Sequence, residues 1–370
     1  MSTAAEPTPL RQSPLRDRHL ALGAKMAEFG GWEMPLEYSG VVAEHTAVRT
    51  SVGVFDVSHL GTVLVTGPGA AAHLNERLTN DLGRIGPGQA QYTLCCDETG
   101  GVVDDLIAYL RTPDDLLLVP NASNSGEVVR RLAEGAPRGV EVIDRHEDFA
   151  VLAVQGPRCD EALARLGLPV GHDYMGFVET SYADADVVVC RTGYTGERGY
   201  ELVVHPAEAA GAIWDALTDP SAPTPALPCG LGARDTLRTE MGYPLHGQDL
   251  GPTITPVQAG SSWAVGWDKP AFPGREALVE ERTAGRTRAL RGLLAAGRGI
   301  PRAGMTVHLG EEAIGEITSG TFSPSLKQGI ALALLRTDVE VGSEVEVDVR
   351  GRRQPFVVTK PPFVASSVRS

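Results

Sequence analysis

Lysine is nearly missing from this chain. Of its 33 basic residues only Lys25, Lys269, Lys327 and Lys360 are lysines, against 47 acidic residues and a formal net charge of −14. So acidic a balance argues against nucleic acid as the main partner, because neutralising a phosphate backbone takes clustered cations. Cysteine is scarce as well. Cys95, Cys96, Cys159, Cys190 and Cys229 are odd in number and form no C-x-x-C pair. That excludes a disulfide framework and predicts a reducing, cytoplasmic compartment. Neighbours on a strand face opposite ways, so Cys95 and Cys96 cannot easily share one metal. The nine histidines contain no H-x-x-x-H or H-E-x-x-H pattern, and no metal site is expected. No apolar run reaches membrane-spanning length. The polar start, Met1 to Pro14, lacks the arginine-rich amphipathic pattern of an organelle transit peptide.

The remaining composition is that of a globular protein. At 370 residues, 42% hydrophobic and 22% charged, it predicts two or three domains with sizeable cores. Residues 1–15 read as a loose arm. Residues 17–29 read either as a short helix or as a helix running into a strand, ended by Gly30 and Gly31. Helical patterns follow at 40–51, 70–79, 124–134 and 233–241, with strand character over 53–66. A meander of strands is predicted at 89–96, 102–110 and 116–121, joined by turn chemistry at Asp97–Gly101 and Arg111–Asp115. A strand at 149–155 precedes a hairpin of 184–190 with 200–204. From about residue 285 the texture changes to short valine- and leucine-rich strands at 289–294, 305–309, 313–318, 329–335, 344–350 and 354–359. Their spacing predicts a separate small β-barrel.

The most informative feature is Asp104 next to Asp105 inside an apolar strand. Alternation puts Asp105 on a face with Val103, Ile107 and Tyr109, and Asp104 on the face of Val102, Leu106 and Ala108. A half-buried carboxylate is costly unless something pairs with it, so the pair points to chemistry without saying which member acts.

Three other segments have bland and functional readings. The glycine-dense run Arg191–Glu201 is a hairpin turn, or a loop whose Tyr194 stacks on a flat ligand while Glu201 accepts its hydrogen bonds. Gly230–Asp235 lacks the third glycine and the preceding strand of a dinucleotide fingerprint. It reads as a helix start that presents Arg234 to a carboxylate-bearing ligand. Asp56 and His59 lie close in sequence, yet no G-x-S-x-G elbow accompanies them, and a structural histidine is the simpler reading.

Together these segments resemble the T-protein family of the glycine cleavage system. The matches are Leu22–Leu36 (LGAKMAEFGGWEMPL), Ser51–His59 (SVGVFDVSH), Gly100–Leu106 (GGVVDDL), Arg191–Glu197 (RTGYTGE), Gly230–Asp235 (GLGARD), Gly242–Asp249 (GYPLHGQD) and Gly315–Gly320 (GEITSG). Their common order is far more specific than any one alone. The resemblance implies an α+β fold: three domains in a cloverleaf around a central folate channel, the first two interleaved within residues 1–280 and an all-β barrel over 285–370. It also implies an aminomethyltransferase. That enzyme moves a one-carbon unit from the aminomethyl-dihydrolipoyl arm of the H-protein to tetrahydrofolate, releasing ammonia and 5,10-methylenetetrahydrofolate. By the same resemblance Asp105 is the essential carboxylate. Tyr92, Tyr109, Asn121, Tyr174, Tyr194, Glu201 and Arg234 line the folate site, and Asp104 is left a structural role. Leu60 stands where the family usually has Met, and Val368 and Arg369 stand where relatives often have an aromatic pair.

Two alternatives share that fold. A folate-dependent demethylase would not need a lipoylated carrier. A non-catalytic folate-binding iron–sulfur maintenance protein would carry a cysteine in the loop where this chain has Gly242–Asp249, and none is there.

Overall fold

A computed structural model describes residues 9–369; the expected N-terminal arm therefore lies largely outside the described residues. Four sheets organise the described residues. The ambiguous segment 17–29 resolves as a helix, Arg16–Ala21, running into a strand, Lys25–Phe29. That strand pairs with Trp32–Glu37, and Phe29 faces Trp32 across Gly30 and Gly31, at φ 59° and 86°. Two successive positive φ values make the hairpin turn whose twist suits right-twisted strands, and only glycine adopts both without strain.

The chain then passes back and forth between two sheets. The six-stranded sheet runs in the order Phe177–Tyr182, Ala185–Cys190, Gly199–His205, Ala150–Gln155, Gly53–Asp56 and Leu227–Cys229. The five-stranded sheet runs Gln89–Cys96, Val102–Thr112, Asp115–Val119, Val63–Thr66 and Glu141–Asp144. The predicted hairpin appears as Ala185–Cys190 antiparallel to Gly199–His205, and the meander follows its expected order. Each sheet buries one apolar face under helices. Trp214 and Ile213 cover the first sheet, Leu74 and Val128 the second. A further core between the sheets holds Phe55, Tyr109, Leu117 and Val203.

The C-terminal strands close into a six-stranded barrel, Arg288–Ala295, Gln328–Arg336, Glu312–Ser323, Thr306–Leu309, Glu344–Val349 and Arg352–Thr359. Closure removes free edges. Leu293, Ile317, Leu335 and Phe356 fill its interior. Among the described residues no helix is long and apolar enough to cross a membrane.

The helix Leu231–Met241 ends at Gly242, φ 70°, a left-handed C-cap. Two buried ionic clusters fasten it. Glu240 is fully buried and accepts from Arg49 Nη2 at 2.8 Å, from Ser323 Oγ, and from Ser325 N at 3.1 Å. The other nitrogen fork of Arg49 reaches Glu197 at 2.9 Å and the Thr195 carbonyl at 2.7 Å. Arg238 pairs with Asp249 at 2.8 Å, and Ser319 of the barrel bonds to both. Thus one helix joins the helix Val41–Thr50, the hairpin loop and the barrel.

Removing one partner of a buried pair strands the other charge. Glu240→Ala is therefore expected to cost roughly 3–5 kcal/mol in a denaturant melt, and Glu240→Gln less. Burial opposes ionisation of Glu240, but hydrogen bonds from His45, Ser323 and Arg49 outweigh it and hold its pKa at about 2, below the usual 4.5. A depressed carboxylate stabilises the fold fully above its unfolded value and loses that contribution as pH falls towards the folded one. Stability should accordingly drop between about pH 4.5 and 2 more steeply in the wild type than in Glu240→Gln; parallel pH curves would refute this.

Candidate functional site

The site is built on the strand pair Gln89–Cys96 and Val102–Thr112. Their turn is locked by Asp97, whose Oδ1 accepts from Thr99 N at 2.8 Å and Gly101 N at 3.1 Å, an Asx turn. The register sets Tyr92 against Ile107 and Leu94 against Asp105. On the other side Ile107 faces Val119, so the same antiparallel register carries Asn121 towards Asp105 just beyond the strand end. Alternation divides the Val102–Thr112 strand as expected: Val102, Asp104, Leu106 and Ala108 are buried, whereas Val103, Asp105 and Ile107 keep partial access. Tyr109 is the exception on the more open face, because it enters the core between the sheets.

The two aspartates are not separate on their two faces. Asn121 Nδ2 donates to Asp104 Oδ1 at 2.9 Å and to Asp105 Oδ1 at 3.0 Å, bridging them. Asn121 N adds a bond to Asp104 Oδ2 at 3.0 Å. Asn124 Nδ2 donates to Asp104 at 2.7 Å and to His246 Nδ1 at 2.9 Å, while His246 Nε2 meets the Val102 carbonyl at 3.1 Å. That pattern assigns the His246 proton to Nε2. Tyr92 Oη donates to Asp105 Oδ2 at 3.0 Å. Amides and a hydroxyl, not a cation, thus provide every side-chain hydrogen bond to the pair. Burial and the Asp105 charge push Asp104 up to about 8, against the pull of the two asparagines. Burial also raises Asp105, against its hydrogen bond from Tyr92. Such neighbours titrate as a unit.

The remaining residues singled out in the sequence form three groups nearby. Tyr194 donates to the Pro244 carbonyl at 2.6 Å and stacks on Tyr243, centroids 5.8 Å apart. The Arg234 guanidinium lies 4.8 Å from the Tyr194 ring centre, and its Nη1 is buried without a hydrogen-bond partner. Burial lowers the Arg234 pKa, with the Glu201 charge opposing that fall. Glu201 accepts from Thr192 Oγ1 at 2.6 Å, and Thr192 in turn meets the Tyr109 hydroxyl at 3.2 Å. Tyr109, edge-on to Phe177 at 5.6 Å, therefore backs the site through Thr192. Tyr174 lies beneath the Arg369 guanidinium at 5.5 Å. The C-terminal segment reaches there because Ser367 N bonds to Gly196 O at 2.8 Å and Ser367 Oγ bonds to Glu197. The Glu201 charge is felt at Tyr174 and Arg234, and the Asp105 charge at Tyr92 and Tyr194, so the groups share one interior.

Asp56 and His59 form no triad. Asp56 is taken up by Ser13 and by His19 Nε2 at 2.8 Å. His59 is buried and held near a pKa of about 3 by desolvation and by Arg234. All five cysteines are free and buried. Sequence reasoning missed Trp263, which is 65% exposed and stacked on Tyr92 at 5.1 Å. It also missed Asn124 as a partner of Asp104, and His246 as the partner of Asn124.

Comparisons with known proteins agree with this architecture. A family model described as GCVT N-terminal domain matches residues 15–269, and one described as glycine cleavage T-protein C-terminal barrel domain matches residues 288–365. The chain belongs to the glycine cleavage T-protein family. Its activity is that of an aminomethyltransferase of the glycine cleavage system. An aminomethyltransferase of a Parafrankia species is 62% identical over 363 residues, 97% of this chain and 99% of that one. One from Mycolicibacterium paratuberculosis is 58% identical over 362 residues, 97% and 98% of the two chains. The crystal structure of the glycine cleavage system aminomethyltransferase T from Bartonella henselae superposes with a TM-score of 0.92 at 34% identity, covering 98% of this chain and all of that one.

Asp104 holds its proton below about pH 8, so Asp104→Asn imitates its protonated form and keeps a partner for the asparagines. The acid limb of its kcat/KM profile is expected to stay within a few tenths of a pH unit of the wild type, with substantial activity retained. Asp105→Asn is expected to lose most activity at every pH. Equal losses in the two variants would show that Asp105 has no special role.

Proposed function

We propose that Asp105 is the working carboxylate of one-carbon transfer from an aminomethylated dihydrolipoyl arm of the H-protein to tetrahydrofolate, with release of ammonia. The observation that carries this reading is a buried carboxylate pair whose hydrogen bonds all come from neutral groups. Such a site holds surplus negative charge and suits a centre where positive charge develops.

The residues present fit the pterin end of a folate. Arg234 brings a buried nitrogen without a partner, Glu201 a carboxylate for ring N–H and amino donors, and Tyr194 an aromatic face. Tyr92, Asn121 and Tyr174 complete the lining, with Tyr109 acting through Thr192. When bound, tetrahydrofolate supplies the nucleophilic nitrogens that accept the carbon.

As the carbon parts from its amine, positive charge grows on it, and the fixed Asp105 carboxylate opposes that charge. One charge at ~4 Å with an effective dielectric of ~20 contributes at most about 4 kcal/mol, roughly a thousandfold in rate. Asp105 is therefore insufficient alone, and holding the two reactants together must provide much of the remainder. Tyr92 and Asn121 fix both Asp105 oxygens, which keeps that alignment. In this reading residues 1–280 form the catalytic region and 285–370 the barrel, in the cytoplasm.

Ammonia release from aminomethylated H-protein should depend strongly on added tetrahydrofolate, and a rate independent of it would overturn the assignment. Arg234→Met should raise the KM for tetrahydrofolate about tenfold, the cost of one lost charged hydrogen bond, with a smaller change in kcat.

A further inference from the structure

An open recess of about 350 Å³ lies at the seam between the barrel and the rest of the chain, lined in part by Gly242, Gly260, Arg286, Arg291, Val341 and Lys360. Its floor comes from the C-cap of the helix Leu231–Met241, from the segment after Pro256, and from three barrel strands. Its charge runs against the molecule. The chain has 47 acidic and 33 basic residues, yet the lining holds three cations and no carboxylate.

One of these cations is poorly satisfied. Arg286 Nη1 donates to the Val257 carbonyl at 2.7 Å, which ties the recess to that segment. Arg291 Nε is buried and has no hydrogen-bond partner. Burial lowers the Arg291 pKa, and the nearby Arg286 charge lowers it further. Two guanidiniums set together with no anion between them is an arrangement that costs free energy unless something negative completes it. Planar guanidinium forks suit carboxylate and phosphate oxygens in particular.

We propose that this recess binds a small multivalent anion bearing carboxylate or phosphate oxygens, with Arg286 and Arg291 as the fork and Lys360 at the rim. The bound anion bridges the barrel to the helix end and to the Val257 segment. Its chemistry could come from a free metabolite or from a chain of carboxylates carried by the folate substrate. The second source rests on the function proposed above; the first does not.

Isothermal titration of the full chain with inorganic pyrophosphate, and separately with citrate, tests the site. Saturable binding of at least one, weakened tenfold or more in both Arg291→Met and Lys360→Met, is the expected result. Lys360 is exposed, so its variant keeps the test decisive where Arg291→Met fails to fold. No saturable binding of either anion, or unchanged binding in Lys360→Met, overturns the proposal. The source is read from kinetics. If the substrate's own chain of carboxylates is the ligand, Lys360→Met raises the KM for tri-γ-glutamyl tetrahydrofolate severalfold and leaves the monoglutamyl KM unchanged. If a free anion is the ligand, both KM values stay unchanged while pyrophosphate or citrate binding falls. Loss of activity with every folate in the wild type would instead count against the proposed function.

Discussion

The full burial of Glu240 is the constraint on which the molecule's assembly depends. Four groups from two distant parts of the chain converge on its two oxygens: His45 and Arg49 from the helix Val41–Thr50, and Ser323 and Ser325 from the end of a barrel strand. A carboxylate taken out of water is tolerable only when each lone pair is met. Meeting them forces the barrel, the helix Val41–Thr50 and the helix Leu231–Met241 into one arrangement. The consequence reaches the site. Arg49 passes the constraint to Thr195 and Glu197, in the hairpin that presents Tyr194. Arg238, two residues before Glu240, passes it to Asp249, in the loop that presents His246.

The proposed catalytic centre answers a similar problem in the opposite way. Glu240 is met by a cation, whereas Asp104 and Asp105 are met only by amides and a tyrosine hydroxyl. The first arrangement spends its charge on structure and leaves none over. The second keeps its charge available, because neutral donors hold a carboxylate in place without neutralising it. That difference distinguishes a structural from a functional buried acid better than burial does, since both kinds are deeply enclosed.

Local chemistry was legible in the chain. The glycine pair at 30–31, the turn at Asp97–Gly101 and the alternation around Asp105 depend on neighbours in sequence, and the structure realises each. The barrel strands were legible too, although Glu312–Ser323 runs several residues past its expected end, with an irregular register between Ile317 and Ser319. Long-range partners were not legible. Asn124 meets Asp104 from 20 residues away, His246 meets Asn124 and the Val102 carbonyl across well over a hundred residues, and Arg49 meets Glu240 across a longer span still. No periodicity encodes such meetings. Trp263 was missed for a different reason: its neighbourhood reads as an irregular loop, and only the fold reveals that its ring covers Tyr92. Alternation also misled in one respect. It separates Asp104 from Asp105 by face, but a side chain at the strand's end can reach around to both.

That side chain, Asn121, gives the centre a particular way to age. Primary amides hydrolyse slowly in water, and hydrolysis here would turn the bridging donor into a third carboxylate beside two others. The ionic clusters at Glu240 and Arg238 do not use this atom, so the strain of the third acid would fall on the aspartate pair first. A mass increase of a single dalton on one peptide would mark the change.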